Sequence, residues 1–334
     1  MSRKPIVFQK EICIFASASA VGKLESSGPL KEYFDIASDD SKFGMETWEK
    51  AEAEMIRESS ETALKKSKLI YDDLDLTFSG DLTNQCASSA FGLKNMRIPH
   101  VGLYGACSTF ALSLGMGAIA IEAGLSKRVL CEASSHFCSA ERQYRFPLEY
   151  GCQRPPSAQN TVTGSGTVIL SEEDKSNVYI TEFLPGIIRD PGIKDANNMG
   201  AAMASSCADT VLRYFEETGN DPKQFDLILT GDLGCEGHEI FLDLCERKNL
   251  KIAENSNDCG KMIYFLEGQN VNSGGSGCGC SAVVFSSYVM HHFNEKKISD
   301  VLLIGTGALL NATTVLQKES IPGISHLVRI TRKD

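Results

Sequence analysis

The octapeptide Asp75-Leu76-Thr77-Phe78-Ser79-Gly80-Asp81-Leu82 returns 151 residues later as Asp226-Leu227-Ile228-Leu229-Thr230-Gly231-Asp232-Leu233, with five of eight positions identical. A repeat at that spacing in a 334-residue chain implies one structural unit built twice. Each copy reads as a short buried strand ending in Gly-Asp, and each follows a helix-like segment of similar length. The first such segment, residues 46–67, places Trp48, Ala51, Met55, Ser59 and Ala63 on one face; the second spans residues 199–217.

The parallel continues beyond the octapeptide. Gly105-Ala106-Cys107-Ser108 opens an apolar helix-like run over residues 110–125, and Gly277-Cys278-Gly279-Cys280-Ser281 opens another over 282–290. Buried strands follow at 128–132 and 301–305, and closing strands at 167–171 and 327–330. Strands alternating with helices predict an α/β fold with mainly parallel pairing and helices on both faces. The two units divide the chain at residues 1–174 and 175–334.

Cys107 stands at the head of one of the two helices that meet where the halves join. At a first helical turn, unpaired backbone N–H groups and the positive end of the helix dipole favour thiolate, which makes Cys107 a candidate nucleophile. The alternative is that small residues let a tight turn pack inside a core, where cysteine is at home.

Composition excludes several classes. A formal net charge of -10 without basic runs argues against nucleic acid as a partner. Twelve scattered cysteines suggest a reducing compartment rather than a disulfide framework. No metal site is expected, because Cys278-Gly279-Cys280 is too tightly spaced for a zinc pair and no CxxC or histidine cluster accompanies it. The first ten residues lack the apolar region of a signal peptide, and the longest apolar run is too short and too interrupted to span a membrane.

The duplicated α/β pattern, the Gly-Ala-Cys-Ser turn before an apolar helix, and the Gly-x-Gly strand Thr163-Gly164-Ser165-Gly166-Thr167-Val168-Ile169-Leu170 resemble the thiolase and β-ketoacyl synthase superfamily. That resemblance implies a five-layered αβαβα sandwich. Three longer stretches resemble the stage V sporulation protein AD family of spore-forming bacteria. They are Phe146-Pro147-Leu148-Glu149-Tyr150-Gly151 with Gln153-Arg154-Pro155-Pro156, the run from Gly274 to Ala282, and Ile321-Pro322-Gly323-Ile324-Ser325-His326.

The second resemblance implies binding more than turnover. The expected ligand is dipicolinic acid (pyridine-2,6-dicarboxylate), alone or with calcium, and no cofactor is expected. The implied partners are the other stage V sporulation A membrane proteins, with which the chain would load the compound into the developing spore. A peripheral place at the inner membrane of the forespore or spore follows from the same resemblance, and a homodimer paired through the central sheet is what the resemblance to the thiolase fold implies.

Departures from the catalytic members agree. Carbon–carbon condensation on a cysteine thioester needs His and His, or His and Asn, to stabilise enolate and oxyanion charge. Where synthases carry the first His, Gly231-Asp232-Leu233-Gly234 stands, and His238 is out of register. Ser276-Gly277-Cys278-Gly279-Cys280 replaces the second.

A dicarboxylate ligand instead calls for arginine, backbone N–H groups and an apolar slot. Arg142, Arg145 and Arg154 lie among aromatics in an otherwise acidic chain, although each is open to a surface ion-pair or bracing role. His136 and His238 are either ligand contacts or core imidazoles. With Cys107, Asp232, Ser276 and Cys278 they complete the candidate binding set. Two alternatives stand beside this reading: an acyl-transferring enzyme using Cys107, and a scaffold for membrane channel partners.

Overall fold

The computed structural model describes residues 4–144 and 154–333. Its first half opens with a long strand, β1 (Ile6–Val21), and a short one, β2 (Ile36–Ala37), then α1 (Trp48–Ser67) and β3 (Leu76–Gly80). The helix α2 (Ala87–Leu93) and the edge strand β4 (His100–Gly102) lead to α3 (Thr109–Glu122), β5 (Arg128–Ser135), α4 (Phe137–Tyr144), β6 (Asn160–Thr161) and β7 (Gly164–Ser171). The second half repeats the plan with β8 (Val178–Leu184), α5 (Met199–Thr218), β9 (Leu227–Thr230), α6 (Gly234–Glu246) and β10 (Ser256–Asp258). It closes with α7 (Cys259–Met262), β11 (Gly275–Ser276), α8 (Cys278–Val284), α9 (Met290–Asn294), β12 (Asp300–Ala308), α10 (Ala312–Leu316) and β13 (Gly323–Arg332).

The strands order themselves β10-β9-β12-β13-β8-β1-β7-β5-β3-β4, a sequence that reads alike from both ends. In each half three strands run parallel, and the closing strand, β7 or β13, lies antiparallel between its neighbours. The halves are hydrogen-bonded to each other where β1 meets β8 antiparallel, with Ile6 opposite Phe183 and Ile12 opposite Ile180.

The repeated aspartates explain why both copies fold alike. Asp75 Oδ2 accepts from the backbone N–H groups of Lys127 (2.7 Å) and Arg128 (3.0 Å), fixing the start of β5 against β3. Asp226 Oδ2 does the same for Ser299 (2.6 Å) and Asp300 (3.0 Å) at the start of β12. One residue type at one register thus sets the same strand pairing twice.

The layers follow from burial. Helix α1 carries the expected face, with Ala51, Met55, Ser59 and Ala63 buried, and Thr47 Oγ1 caps it by accepting from the Lys50 N–H at 3.3 Å. It covers the outside of the first-half sheet, as α5 and α6 cover the second. Helix α3 is apolar on all sides, so it belongs between layers: it packs on β3 and β5 on one side and on β12 and β13 on the other. The result is the αβαβα arrangement.

The second central helix differs from the expected unbroken run. Between α8 and α9, residues Phe285–Val289 form a π turn. Ser286 Oγ donates to the Ala282 carbonyl at 2.7 Å and Ser287 Oγ to that of Val283, so two hydroxyls compete for the helical ladder where the turn widens. The stretch from Ser26 to Ser41, polar and charged in sequence, is partly built in: Leu30 is buried and β2 pairs with β1. Among the described residues no helix is long and apolar enough to cross a membrane.

Candidate functional site

The turn before α3 is held by its own hydroxyls. Ser108 Oγ donates to the Gly105 carbonyl at 2.6 Å, Thr109 Oγ1 donates to Ala106 O at 2.7 Å and accepts from the Gly105 N–H at 3.0 Å. Ala106 takes φ +50°, a left-handed conformation uncommon for a residue with a Cβ. The turn can sit so tightly because β12 offers glycine beneath it. A Cβ on Gly307 would stand 2.4 Å from the Gly105 oxygen, and one on Gly305 would stand 2.6 Å from the Ala111 methyl.

Asp232 reaches the same point from the second half. It is fully buried; its Oδ2 accepts from the Gly277 N–H at 2.7 Å and its Oδ1 from the Thr306 hydroxyl at 2.7 Å. Thr306 Oγ1 in turn accepts the Asp232 N–H at 3.0 Å, which locks the carboxylate in place. Gln159 ties the adjoining loops together by donating to Asp232 O at 2.6 Å and Gly275 O at 2.8 Å.

This geometry reverses the electrostatics expected of Cys107. Burial first, and the Asp232 carboxylate second, push its thiol well above the usual range, opposed by the Gly277 N–H and the Ser276 hydroxyl. The helix head is outweighed, so Cys107 is held as a neutral thiol rather than as an activated thiolate. Asp232 itself is pushed up to about 7 by burial, against hydrogen bonds from Thr306, Cys107 and Gly277.

The space in front of Cys107 is narrow, about 30 Å³, room for a water or two. Tyr104, Tyr144, Glu141, Thr161 and Ser276 line it with Cys107. Tyr144 donates its hydroxyl to Leu82 O at 2.7 Å and stands 3.1 Å from the Tyr104 hydroxyl, so an aromatic pair covers the mouth. The two-stranded pairing of β6 with β11 carries Thr161 and Ser276 and joins the halves at the pocket.

Among the residues expected from the sequence, Cys107 and Ser276 line this pocket and Asp232 stands directly behind them. Cys278 is buried beneath, its thiol donating to Ser134 O at 2.9 Å. Arg154 is half-buried and reaches Glu141 at 3.5 Å, the Asn160 side chain at 3.1 Å and the Gln159 carbonyl. Arg142 points away, into an ion pair with Glu49 at the surface. Arg145 lies outside the described residues.

Neither histidine faces Cys107. His136 accepts the Cys138 N–H on Nδ1 and donates from Nε2 to Ser41 O at 2.8 Å, with its ring against Trp48. His238 bonds Ser256 at 3.0 Å and lies 3.3 Å from the Lys261 ammonium; burial, then that charge, lower its pKa to about 4. Both are satisfied imidazoles.

Tyr104, Glu141, Tyr144 and Thr306 were not singled out in the sequence. Thr306 had a signal, since Gly305-Thr306-Gly307 repeats the Gly-x-Gly pattern of Gly164-Ser165-Gly166. No group of three His, Cys, Asp or Glu side chains placed to hold a metal occurs among the described residues.

Comparison with solved structures places the fold. The chain is similar to OleA of Xanthomonas campestris, with a TM-score of 0.64 and 9% identity over 98% of this chain and 99% of that one. It is also similar to 3-oxoacyl-[acyl-carrier-protein] synthase III of Aquifex aeolicus, with a TM-score of 0.57 and 12% identity over 96% and 99%. At such identities the likeness speaks for the thiolase-like fold alone.

Sequence comparison is more specific. The chain is 39% identical over 326 residues, 98% of its length and 96% of the relative's, to stage V sporulation protein AD of Bacillus subtilis (strain 168). The family model for stage V sporulation protein AD matches residues 2–331. This chain therefore belongs to the stage V sporulation protein AD family.

Proposed function

We propose that the chain is a non-catalytic binder of dipicolinic acid, taken as its calcium complex in the pocket before Cys107, and that it serves uptake of the compound into the developing spore. The observation that carries the reading is Asp232. A carboxylate fixed beside the thiol, where a condensing enzyme needs a group that stabilises negative charge, opposes both thiolate and enolate.

The pocket's other groups favour the calcium complex over the free dianion. Glu141 in the wall, and Asp232 behind Cys107, would repel a bare dicarboxylate, whereas calcium accepts carboxylate oxygens. The metal arrives with its ligand in this reading. Tyr104 and Tyr144 supply aromatic faces for the pyridine ring, and both must shift to admit it, because the closed space is small. Work beside stage V sporulation A membrane proteins, a peripheral place at the inner membrane, and a homodimer along the exposed edge of β4, where Val101 and Tyr104 stand in solvent, belong to the same proposal.

Calorimetric titration of dipicolinate, with and without calcium, into the wild type and Glu141→Gln and Tyr144→Ala variants tests it. Saturable heat that requires calcium and falls with either change supports the reading. Absence of heat together with acylation of Cys107 by acyl-CoA would replace it with acyl transfer; absence of both would leave a scaffold.

A further inference from the structure

The space before Cys107 has room for a water or two, so part of its wall has to move before anything larger enters. Leu82 is in that wall beside Tyr104 and Tyr144. It belongs to the connection from β3 to α2, and there the backbone is strained. Gln85 (φ 60°, ψ 31°) and Cys86 (φ 54°, ψ 45°) are both left-handed, the only adjacent pair of non-glycine residues with positive φ among the described residues. For a residue with a Cβ, each such conformation is disfavoured by a factor of about five or more.

The second copy of the repeat enters its helix without this strain. Helix α6 begins two residues after Asp232, with Gly234 in the left-handed position at φ +68°, whereas α2 begins six residues after Asp81. The first half therefore carries extra chain beside the pocket, with Gln and Cys where glycine would be at ease. Strained backbone of this kind gathers at ligand clamps and switch segments.

The ends of the extra chain are pinned. Asp81, fully buried, accepts from the Thr83 N–H at 2.8 Å, the Ser89 N–H at 2.7 Å and the Ser89 hydroxyl at 2.6 Å. Asn84 and Gln85 in the middle are exposed. The last turn of α4 holds them in: Gln143 Nε2 donates to Asn84 Oδ1 at 2.9 Å and to Leu82 O at 3.3 Å, and its Oε1 accepts the Asn84 N–H at 3.2 Å. The Tyr144 hydroxyl donates to the same Leu82 oxygen at 2.7 Å. Tyr144 is thus both cover of the pocket and clamp on the connection. A ring that moves aside gives up Leu82 O, and a released Leu82 lets Gln85 and Cys86 leave the left-handed region. Relief of strain then offsets part of the lost hydrogen bonding.

We propose that residues 82–86 form a strained gate on the Cys107 pocket, held shut by Gln143 and Tyr144 and opened as Gln85 and Cys86 relax. That the gate serves dipicolinate rests on the function proposed above; the gate itself is tested without that ligand.

The rate at which methyl methanethiolsulfonate modifies Cys107 in the full chain at fixed pH, read from the mass of the Cys107 peptide, reports the open fraction. Gln85→Gly removes strain from the closed form and should slow modification by about fivefold. Gln143→Ala removes the clamp and should speed it by about fivefold. Lys68→Gly makes the same backbone change at φ 61°, at the end of α1 and outside the pocket wall, and should leave the rate at the wild-type value. Wild-type rates in both Gln85→Gly and Gln143→Ala overturn the gate. So does equal slowing by Lys68→Gly and Gln85→Gly, because the thiol would then be reached by unfolding of the whole chain. Calorimetry with dipicolinate and calcium separates the gate from the function: Gln85→Gly should weaken binding by the same factor as it slows the thiol, since only the open form admits the ligand. Unchanged affinity beside a slowed thiol overturns binding in this pocket and leaves the gate standing; unchanged thiol rates beside normal binding overturn the gate and leave the function.

Discussion

Cys107 and Asp232 are far apart in the chain, yet each shifts the protonation of the other. The helix head acts on the thiol in the direction read from the sequence, but removal from water and a carboxylate delivered by the second half act more strongly in the other direction. Asp232→Asn removes the second of these causes and leaves the first. The midpoint of the pH profile for Cys107 reacting with methyl methanethiolsulfonate should therefore fall by about one unit or more in the variant. An unchanged midpoint would mean that burial alone holds the proton. The location of Cys107 was legible because local residues make the turn; its state was not, because the deciding charge is non-local. Arg142 shows the same limit at shorter range. Glu141 faces the pocket, and the next residue on a helix is rotated by about 100°, so Arg142 turns outward to Glu49.

At the level of elements, the repeat carried most of the information. Asp75 and Asp226 do one job at one register, and the segments around them became the expected helices and strands. Less legible was how closely elements approach, because a glycine reveals freedom or contact only once its neighbour is known. Gly307 is such a case: β12 meets the Cys107 turn there with no room for a methyl group. Gly307→Ala should cost about 1–3 kcal/mol through overpacking, measured by urea unfolding, and should alter the reactivity of Cys107 as the turn is pushed off the strand. Gly268→Ala is the control, since a Cβ there meets only ordinary contact at 3.5 Å. Its effect should remain within about 0.5 kcal/mol. Equal stability of the two variants would show that the turn yields without loss.

At the scale of the whole molecule, acid groups are buried between layers with no basic partner among the described residues. Glu52 on α1 accepts from the hydroxyls of Ser134 (3.0 Å) and Ser139 (2.9 Å), and Glu132 on β5 accepts from Ser165 (2.9 Å). Asp81, after β3, adds its own charge to both. Burial first, and Asp81 second, push Glu52 up to about 8; burial pushes Glu132 well above the usual carboxylate range. In the unfolded chain Glu52 returns to the ordinary value of 4.5. Between those two values the folded state holds a proton that the unfolded state has lost. Stability must then fall as pH rises through that window, by at most about 1.4 kcal/mol per pH unit for each such group, and level off above it. Urea unfolding of the wild type from pH 5 to 8.5 should show the decline, and Glu52→Gln should show a shallower one, because the amide cannot ionise. Parallel curves for the two proteins would mean that Glu52 is ionised in the fold. The network of serine hydroxyls would then be solvating a charge, and the packing of α1 against β5 would have to tolerate it.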